Sequence, residues 1–366
     1  MKIYNNKTVF DAALERIRRI YDEFEHVYVG SSSGKDSTVV TELAIMVAKE
    51  KGRLPVDVCF CDQESEYQST VDYFRKLETR KEVRLHWFQV PFKLNNATTL
   101  DDNNLWMKCW DESCKEKWMR PHEPNAITDL GNITKGKEID YYQCCDNMGP
   151  YIFGEGQPFA ALTGITAEES LNRYILIHKK KSVYKDMYYC SCMSSKGAYR
   201  FYPIYDWRVS DVWHAIAINH WMYNPVYDKM FQLGVPKTNM RVSSIIHETA
   251  VWNLRQLKEI EPNTFEKLTQ RIGGINTYRM LMGSEMYNIS KLPPMFSSWV
   301  EYRDYLIAHI ISDKQRPIFL KQIKGRDTEA EAAADIQGIL VNDICGTKIG
   351  NTISTEKHKK MYGDAK

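Results

Sequence analysis

The stretch from Glu25 to Glu50, EHVYVGSSSGKDSTVVTELAIMVAKE, constrains the fold of this chain more than any other. A β-prone run, Val27, Tyr28 and Val29, leads into small and turn-forming residues from Gly30 to Asp36. Helical spacing then sets in, with apolar positions at Val39, Val40, Leu43, Ala44, Met46 and Val47. Strand, glycine/serine loop and helix in that order form a phosphate cradle. Loop amides point inward, the helix N-terminus carries partial positive charge, and Gly34 permits close backbone approach. Lys35 adds a mobile full charge, and Ser32, Ser33, Ser37 and Thr38 add hydroxyl donors. A Walker A loop needs four residues between its glycines and Ser or Thr after its lysine. Here Gly30 and Gly34 enclose three and Asp36 follows Lys35, so that reading fails.

The surrounding pattern predicts an α/β fold: a parallel twisted sheet with helices on both faces, Rossmann-like, followed by a mostly helical C-terminal region. Residues 8–24 read as an amphipathic helix with Phe10, Ala13, Leu14, Ile17, Ile20, Tyr21 and Phe24 on one face. Strands are expected at 55–61, 83–90 and 159–163, with a helix over 66–79 and another opened by Ser210 as N-cap. Ligands of such sheets bind beyond the carboxyl ends of the strands, where the 30–37 loop and Asp62 fall. Asp62, Glu64 and Glu66 open a helix there. They read either as holders of Mg²⁺ or a ribose hydroxyl, or as acidic charges facing the helix dipole.

Residues 93–150 lack clean periodicity and carry Trp106, Cys109, Trp110, Cys114, Trp118, Cys144 and Cys145. A lid or a partner surface is expected of so long a segment. Beyond 240, helices are expected at 251–260, 264–272, 299–311 and 329–344, and the tail after Gly350 is polar. The expected division is a nucleotide-binding domain over 1–240 with the 93–150 insertion, a helical domain over 241–350, and a polar tail over 351–366.

Four ordered segments carry a family resemblance. Ser32-Ser33-Gly34-Lys35-Asp36-Ser37 resembles the SGGKDS loop of the PP-loop ATP pyrophosphatase superfamily, with Ser33 in a glycine's place. If that position takes positive φ, serine there is strained. Asp62, Glu66, Tyr67 and Thr70 match a D-T-G-x-E-[FY]-x-x-T segment of phosphoadenosine-phosphosulfate (PAPS) reductase relatives. Gly164, Glu168, Glu169, Ser170 and Arg173 match a further segment, with Thr166 where arginine is common. Residues 203–227 resemble a third, P-[IL]-x-D-W…N-P-x-Y, read as structural. The whole pattern is most similar to the IbrA-type co-activator branch, which occurs in bacteria and on prophages.

That resemblance implies an adenine nucleotide, ATP or PAPS-like, together with Mg²⁺. It implies phosphate binding by Ser32, Ser33, Gly34, Lys35, Asp36 and Ser37, with Gly164 beside them. Asp62 and Glu66 would lie near the nucleotide or metal, and Glu168, Glu169 and Arg173 would border the acceptor. Lys35, Asp36 and Asp62 would be catalytic, with Asp36 and Asp62 on the metal. The usual superfamily chemistry is α–β phosphate cleavage that adenylates an acceptor. The branch also implies a ParB/sulfiredoxin-like protein partner, nucleic acid reached through that complex, and transcriptional co-activation. PAPS reduction itself needs a late cysteine in a Glu-Cys-Gly context. Cys345 follows Ile344 instead, so it reads as helix packing and places reduction behind adenylation.

Net charge is +2, which gives no bulk field for nucleic acid or membrane. No N-terminal signal stretch and no membrane-spanning run is present in the sequence, so a cytoplasmic protein with reduced thiols is expected. Nine cysteines leave a zinc or iron–sulfur site open from Cys109, Cys114, Cys144, Cys145, Cys190 and Cys192. Their spacings lack C-x₂-C pairs, and buried cysteines acting as small apolar residues are the preferred alternative.

Overall fold

The computed structural model describes residues 6–99, 105–169, 171–178, 184–237, 240–242, 244–247, 253–281, 291–344, 346 and 349. The chain divides into two compact units. The first comprises Met1–Phe92, Cys109–Lys115 and Arg120–Ser243; the second comprises Lys93–Lys108, Glu116–Met119 and Ser244–Lys366.

In the first unit, helix α1 (Val9–Glu23) starts at Thr8, whose hydroxyl accepts from the Asp11 amide, and buries Ala13, Leu14, Ile17, Ile20 and Tyr21, the face its spacing predicts. Strand β1 (His26–Gly30), α2 (Lys35–Glu50), β2 (Val56–Cys61), α3 (Gln68–Glu78) and β3 (Val83–Phe88) then alternate as expected. A two-stranded ribbon, β4 (Phe92–Asn95) with β5 (Trp106–Cys109), stands apart from the main sheet and falls almost wholly in the second unit. After it come α4 (Tyr141–Phe153), β6 (Phe159–Thr163), α5 (Leu171–His178), β7 (Cys190–Cys192), β8 (Ala198–Phe201), α6 (Val209–Ile218) and α7 (Val226–Gln232).

The sheet runs β3-β2-β1-β6-β8-β7, parallel throughout except for β7, which pairs antiparallel to β8 at the edge. Strand order reverses between β1 and β6. Gly30 pairs with both Cys59 and Thr163, so the 31–37 loop leaves the sheet at this switch point, where doubly wound sheets bind their ligands. On one face, Val27, Val29, Val58, Phe60, Ala160 and Leu162 join the apolar residues of α1, α2 and α6 in one cluster. Val39, Val40, Leu43, Ala44 and Val47 of α2 are fully buried there, each Val or Leu contributing about 1.5–3 kcal/mol. The opposite face carries Tyr28, Cys59, Cys61 and Phe159 and is covered by α4, which packs on β2 and β6.

Helix α4 is the main element missing from the sequence reading of 93–150. Gly149 and Pro150 lie inside it and disguise its periodicity. The glycine is there for packing: a Cβ at Gly149 would sit 2.3 Å from Cζ of Phe159. The helix is opened by a reciprocal cap between Asp140 and Gln143. A second correction concerns α6. Its N-cap is Arg208, whose amide donates to the Asp211 carboxylate at 2.7 Å, and Ser210 lies within the first turn.

The second unit contains α8 (Leu254–Ile260), α9 (Pro262–Arg271), α10 (Ile275–Leu281), α11 (Trp299–Tyr305), α12 (Arg316–Gln322) and α13 (Glu329–Leu340). Helix α11 continues into a wider turn, Leu306–Ile310, so the 299–311 segment is helical in two parts. Its core joins Leu306, Ile307, Ile311, Phe319, Ile323, Ile336, Ile339 and Ile349. Cys345 lies outside the described residues. Among the described residues no helix is long and apolar enough to cross a membrane.

Candidate functional site

The loop after β1 is tied down from several sides. The Ser31 amide donates to Cys59 O at 2.9 Å. Ser37 Oγ donates to Gly34 O at 2.9 Å, and the Ser32 amide donates to Ser37 Oγ at 3.3 Å. Gly34 is the N-cap of α2, with extended backbone and no side chain of its own, so the first amides of the helix face outward along its axis. The Lys35 amide is taken by the Tyr227 hydroxyl at 3.1 Å, and Lys35 Nζ pairs with Asp36 Oδ2 at 2.7 Å. Lys35, Asp36 and Ser37 are all buried.

Ser33 adopts φ +59°, the left-handed region that favours glycine. It is completely buried, its Oγ donating to Thr70 Oγ1 at 3.1 Å and accepting from Asn224 Nδ2 at 2.9 Å. The hydroxyl therefore anchors the strained residue to α3 and to the Asn224–Pro225 turn. Gly164 meets the loop from the next strand. A Cβ there would lie 2.5 Å from Asp36 C and from Ser37 N, so only glycine lets the end of β6 close on the first turn of α2.

Positive charge gathers at the same place. Arg173 on α5 is driven down to about 10 by burial and by the neighbouring Arg241 guanidinium, with Asp36 pulling the other way. Lys35, paired with Asp36, and Arg173, paired with Glu169 and facing Arg241, thus bring three cations and two carboxylates together near the N-terminus of α2. Oδ1 of Asp36, Oγ of Ser31 and Oγ1 of Thr166 are buried without a hydrogen-bond partner among the described residues. A buried carboxylate oxygen of this kind at a helix N-terminus is chemically suited to Mg²⁺, which takes one or two carboxylates.

Asp62, expected as a catalytic and metal residue, is committed to the protein. Oδ2 accepts from Trp87 Nε1 at 2.7 Å, from Gln89 Nε2 at 2.9 Å and from Arg120, while Oδ1 accepts from the Glu64 amide at 2.9 Å. Arg120 also donates to Glu64 O at 2.8 Å and lies over the Trp110 ring. Glu66 is buried beside Asp62, and that burial raises its carboxyl to about 8, so it carries a proton at neutral pH. Both residues belong to one buried network that fixes the end of β2. Glu168 sits at the surface, 3.5 Å from Arg208, and Glu169 pairs with Arg173 one helical turn on. Ser170 lies outside the described residues.

Arg241, Tyr227, Asn224 and Arg120 are the contributors that sequence reasoning missed. Asn224 and Tyr227 lie in the N-P-x-Y segment, whose reading as a structural joint overlooked two side chains that reach the loop. Arg241 and Arg120 stand in no recognisable pattern, and only the fold brings them in. The cysteines group differently from expectation: Cys61 and Cys59 of β2 meet Cys144 and Cys145 of α4. Among the described residues, no group of three or more His, Cys, Asp or Glu has the geometry to hold a metal ion.

Known proteins share sequence or structure with this chain. The sequence profile of the phosphoadenosine phosphosulfate reductase domain matches residues 26–280, and that of a domain of unknown function matches residues 234–332. The uncharacterized protein YbdN of Escherichia coli (strain K12) is 28% identical over 308 residues, covering 80% of this chain and 73% of YbdN. Among solved structures, phosphoadenylyl-sulfate reductase of Candida auris in its phosphate complex aligns with 63% of this chain and 94% of its own, at TM-score 0.31 and 14% identity. FMN adenylyltransferase of Candida glabrata, with FMN and an ATP analogue, aligns with 62% of this chain and 64% of its own, at TM-score 0.36 and 12% identity.

Proposed function

Because the chain belongs to the phosphoadenosine phosphosulfate reductase domain family, we propose that its first unit binds an adenine nucleotide, with the phosphates over the 31–37 loop. The observation that carries this reading is the grouping of Lys35 with Asp36, and of Asp36 and Arg241 about Arg173, at the N-terminus of α2. The amides of the loop and helix, with Ser32, Ser33, Gly34 and Ser37 shaping them, receive the phosphate oxygens, and Gly164 holds the cradle closed. The favoured reaction is attack of an acceptor oxygen on the α-phosphate, with pyrophosphate leaving and an adenylated product forming. Charge grows on the leaving group, and Lys35 with the preorganised amides is placed to offset it. Asp36 would hold Mg²⁺, which supplies further neutralisation of the phosphates when bound. Asp62 and Glu66 position the end of β2 beside the loop, and Glu169 orients Arg173.

A specific observation favours a second reading, a sulfonucleotide of the PAPS type. Thr166 lacks the arginine common in the family, but Arg241 brings a second guanidinium beside Arg173, enough for a ligand with an additional anionic group. Isothermal calorimetry of the full chain with ATP and with PAPS separates the two. Lys35→Ala is expected to abolish binding. Arg241→Gln should weaken it by about 10- to 100-fold, the worth of a charge-assisted contact. Undiminished affinity in both variants would refute the site. Labelled ATP yielding AMP and pyrophosphate supports adenylation. Sulfite released from PAPS, and lost in Cys345→Ser, supports reduction instead. Nucleotide binding without turnover, changed by adding a ParB/sulfiredoxin-like protein, would support the regulatory alternative.

A further inference from the structure

The first amide of α2 has an acceptor from within the chain. Tyr227, on α7, places its hydroxyl oxygen 3.1 Å from the Lys35 nitrogen and accepts that N–H. Lys35 is the first residue of α2 after the Gly34 cap, so its N–H is one of the donors left open at the positive end of a 16-residue helix. In a helix-terminal anion site a phosphate oxygen stands where the Tyr227 oxygen now stands. Two oxygens cannot fill that position together. A phosphate over this helix either displaces the tyrosine or is received by it.

The hydroxyl is only half used. A phenol can give one proton besides accepting with its lone pairs. Tyr227 accepts from Lys35, and its own proton has no acceptor among the described residues. The side chain is 4% exposed, and its ring is held edge-on to Trp213 with centroids 5.2 Å apart. Burial first, then the Asp36 charge, raise the hydroxyl above its ordinary value against the pull of the Lys35 amide and Arg241, so it keeps its proton at neutral pH. Two more buried hydroxyls, Ser31 Oγ and Thr166 Oγ1, lack a partner among the described residues. Ser31 opens the loop, and Thr166 follows Gly164, which abuts Asp36 and Ser37. Lys35 and Arg173 have carboxylate partners, whereas these hydroxyl protons have nothing to bond, and native interiors leave few polar groups in that state.

We propose that Tyr227 is a ligand-binding residue of the loop: its hydroxyl accepts from the Lys35 amide and donates its own proton to a phosphate oxygen. The donor at the helix end is thereby carried one group further out. A hydroxyl whose lone pair is engaged by an N–H is polarised and donates more strongly, as in any hydrogen-bonded chain. The ligand it selects is an oxyanion with a lone pair at that point, a phosphate ester rather than an amine. This role rests on the reading of the loop as a phosphate site and refines it: the first helix amide acts through Tyr227, not directly.

Calorimetry of the full chain with ATP tests the assignment. Tyr227→Phe keeps the ring against Trp213 and removes only the hydroxyl, and affinity is expected to fall about 10- to 100-fold, the range of a hydrogen bond to a charged group. A second chain carries 3-fluorotyrosine at position 227, which retains the hydroxyl and does not depend on the phenylalanine variant folding. Its hydroxyl is more acidic, a better donor and a poorer acceptor, so ATP should bind more tightly. A hydroxyl that only capped the Lys35 amide would give the opposite sign. Weaker binding by the fluorotyrosine chain would overturn the proposal. So would Tyr227→Phe binding ATP as tightly as the wild-type chain, or more tightly because the Lys35 amide is freed. Lys35→Ala separates this role from the loop reading: loss of ATP binding there, with Tyr227→Phe unchanged, removes the role of Tyr227 alone. No binding of ATP or PAPS by the wild-type chain removes both.

Discussion

Ser33 offers a direct test of how the loop is held, because two opposing effects meet on one residue. Its φ of +59° places Cβ in the strained left-handed region, which costs a non-glycine residue about 1–2 kcal/mol. Its Oγ also links Thr70 and Asn224 in a fully buried site. Ser33→Ala keeps the strain, removes both hydrogen bonds and leaves an Asn224 amide proton without that acceptor. About 1–3 kcal/mol of destabilisation is expected. Ser33→Gly loses the same bonds but relieves the strain, less roughly 0.4–1 kcal/mol of added freedom in the unfolded chain. Glycine should therefore exceed alanine by about 1 kcal/mol, the reverse of their order at ordinary positions. At an m value of roughly 3 kcal/mol/M that separates the urea midpoints by about 0.3 M. Tryptophan fluorescence follows the transition, because Trp87, Trp110 and Trp207 are buried in the same unit. An alanine variant as stable as the glycine variant, at equal m values, would refute the claim that backbone strain is stored here.

Three other outcomes check the rest of the site. Glu66 is raised by burial, and by Asp62, from 4.5 to about 8, so the folded chain binds its proton more tightly than the unfolded chain does. Its contribution to stability is complete below pH 4.5 and is lost as pH rises through about 8; Glu66→Gln should flatten that dependence in urea midpoints taken across the range. Arg120→Met strips the buried Asp62 carboxylate of its cation and should cost about 3–5 kcal/mol, with Asp62→Asn in the same chain recovering part of it. Gly164→Ala forces the end of β6 off the first turn of α2, and calorimetry should record about a tenfold or greater fall in nucleotide affinity with the sheet still folded.

The sheet was legible in the sequence because its strands are buried on both faces and read as short apolar runs bounded by turns. The runs expected at Val27–Val29, 55–61, 83–90 and 159–163 each contain a strand of the central sheet, at His26–Gly30, Val56–Cys61, Val83–Phe88 and Phe159–Thr163. The strand–loop–helix segment was legible because its pattern is local: strand, loop, Lys35 and helix are contiguous. Helix α4 was not, since Gly149 and Pro150 break the pattern for a reason, the Phe159 ring, that lies on another element. The edge strand β7 and its neighbour β8 are three and four residues long, too short for alternation to declare itself. Asp62 illustrates the limit from the other side. Its place after a strand end was read correctly, but position alone could not say whether its oxygens face a ligand or Trp87, Gln89 and Arg120.

The two departures from the family pattern, Ser33 and Thr166, also look different once the fold is known. Each removes something the loop needs, a strain-free residue in one case and an arginine in the other. Each is answered by a residue far along the chain. Asn224, 191 positions after Ser33, gives the serine hydroxyl a buried partner, and Arg241 brings a guanidinium beside Arg173. Both compensating residues follow the last strand of the sheet, in the stretch that folds back over the N-terminus of α2, where Tyr227 takes the Lys35 amide. A loop that had merely decayed would need neither partner. A departure satisfied through contacts so distant in sequence is the mark of a loop held to one geometry, with Lys35 and Asp36 paired at its helix end.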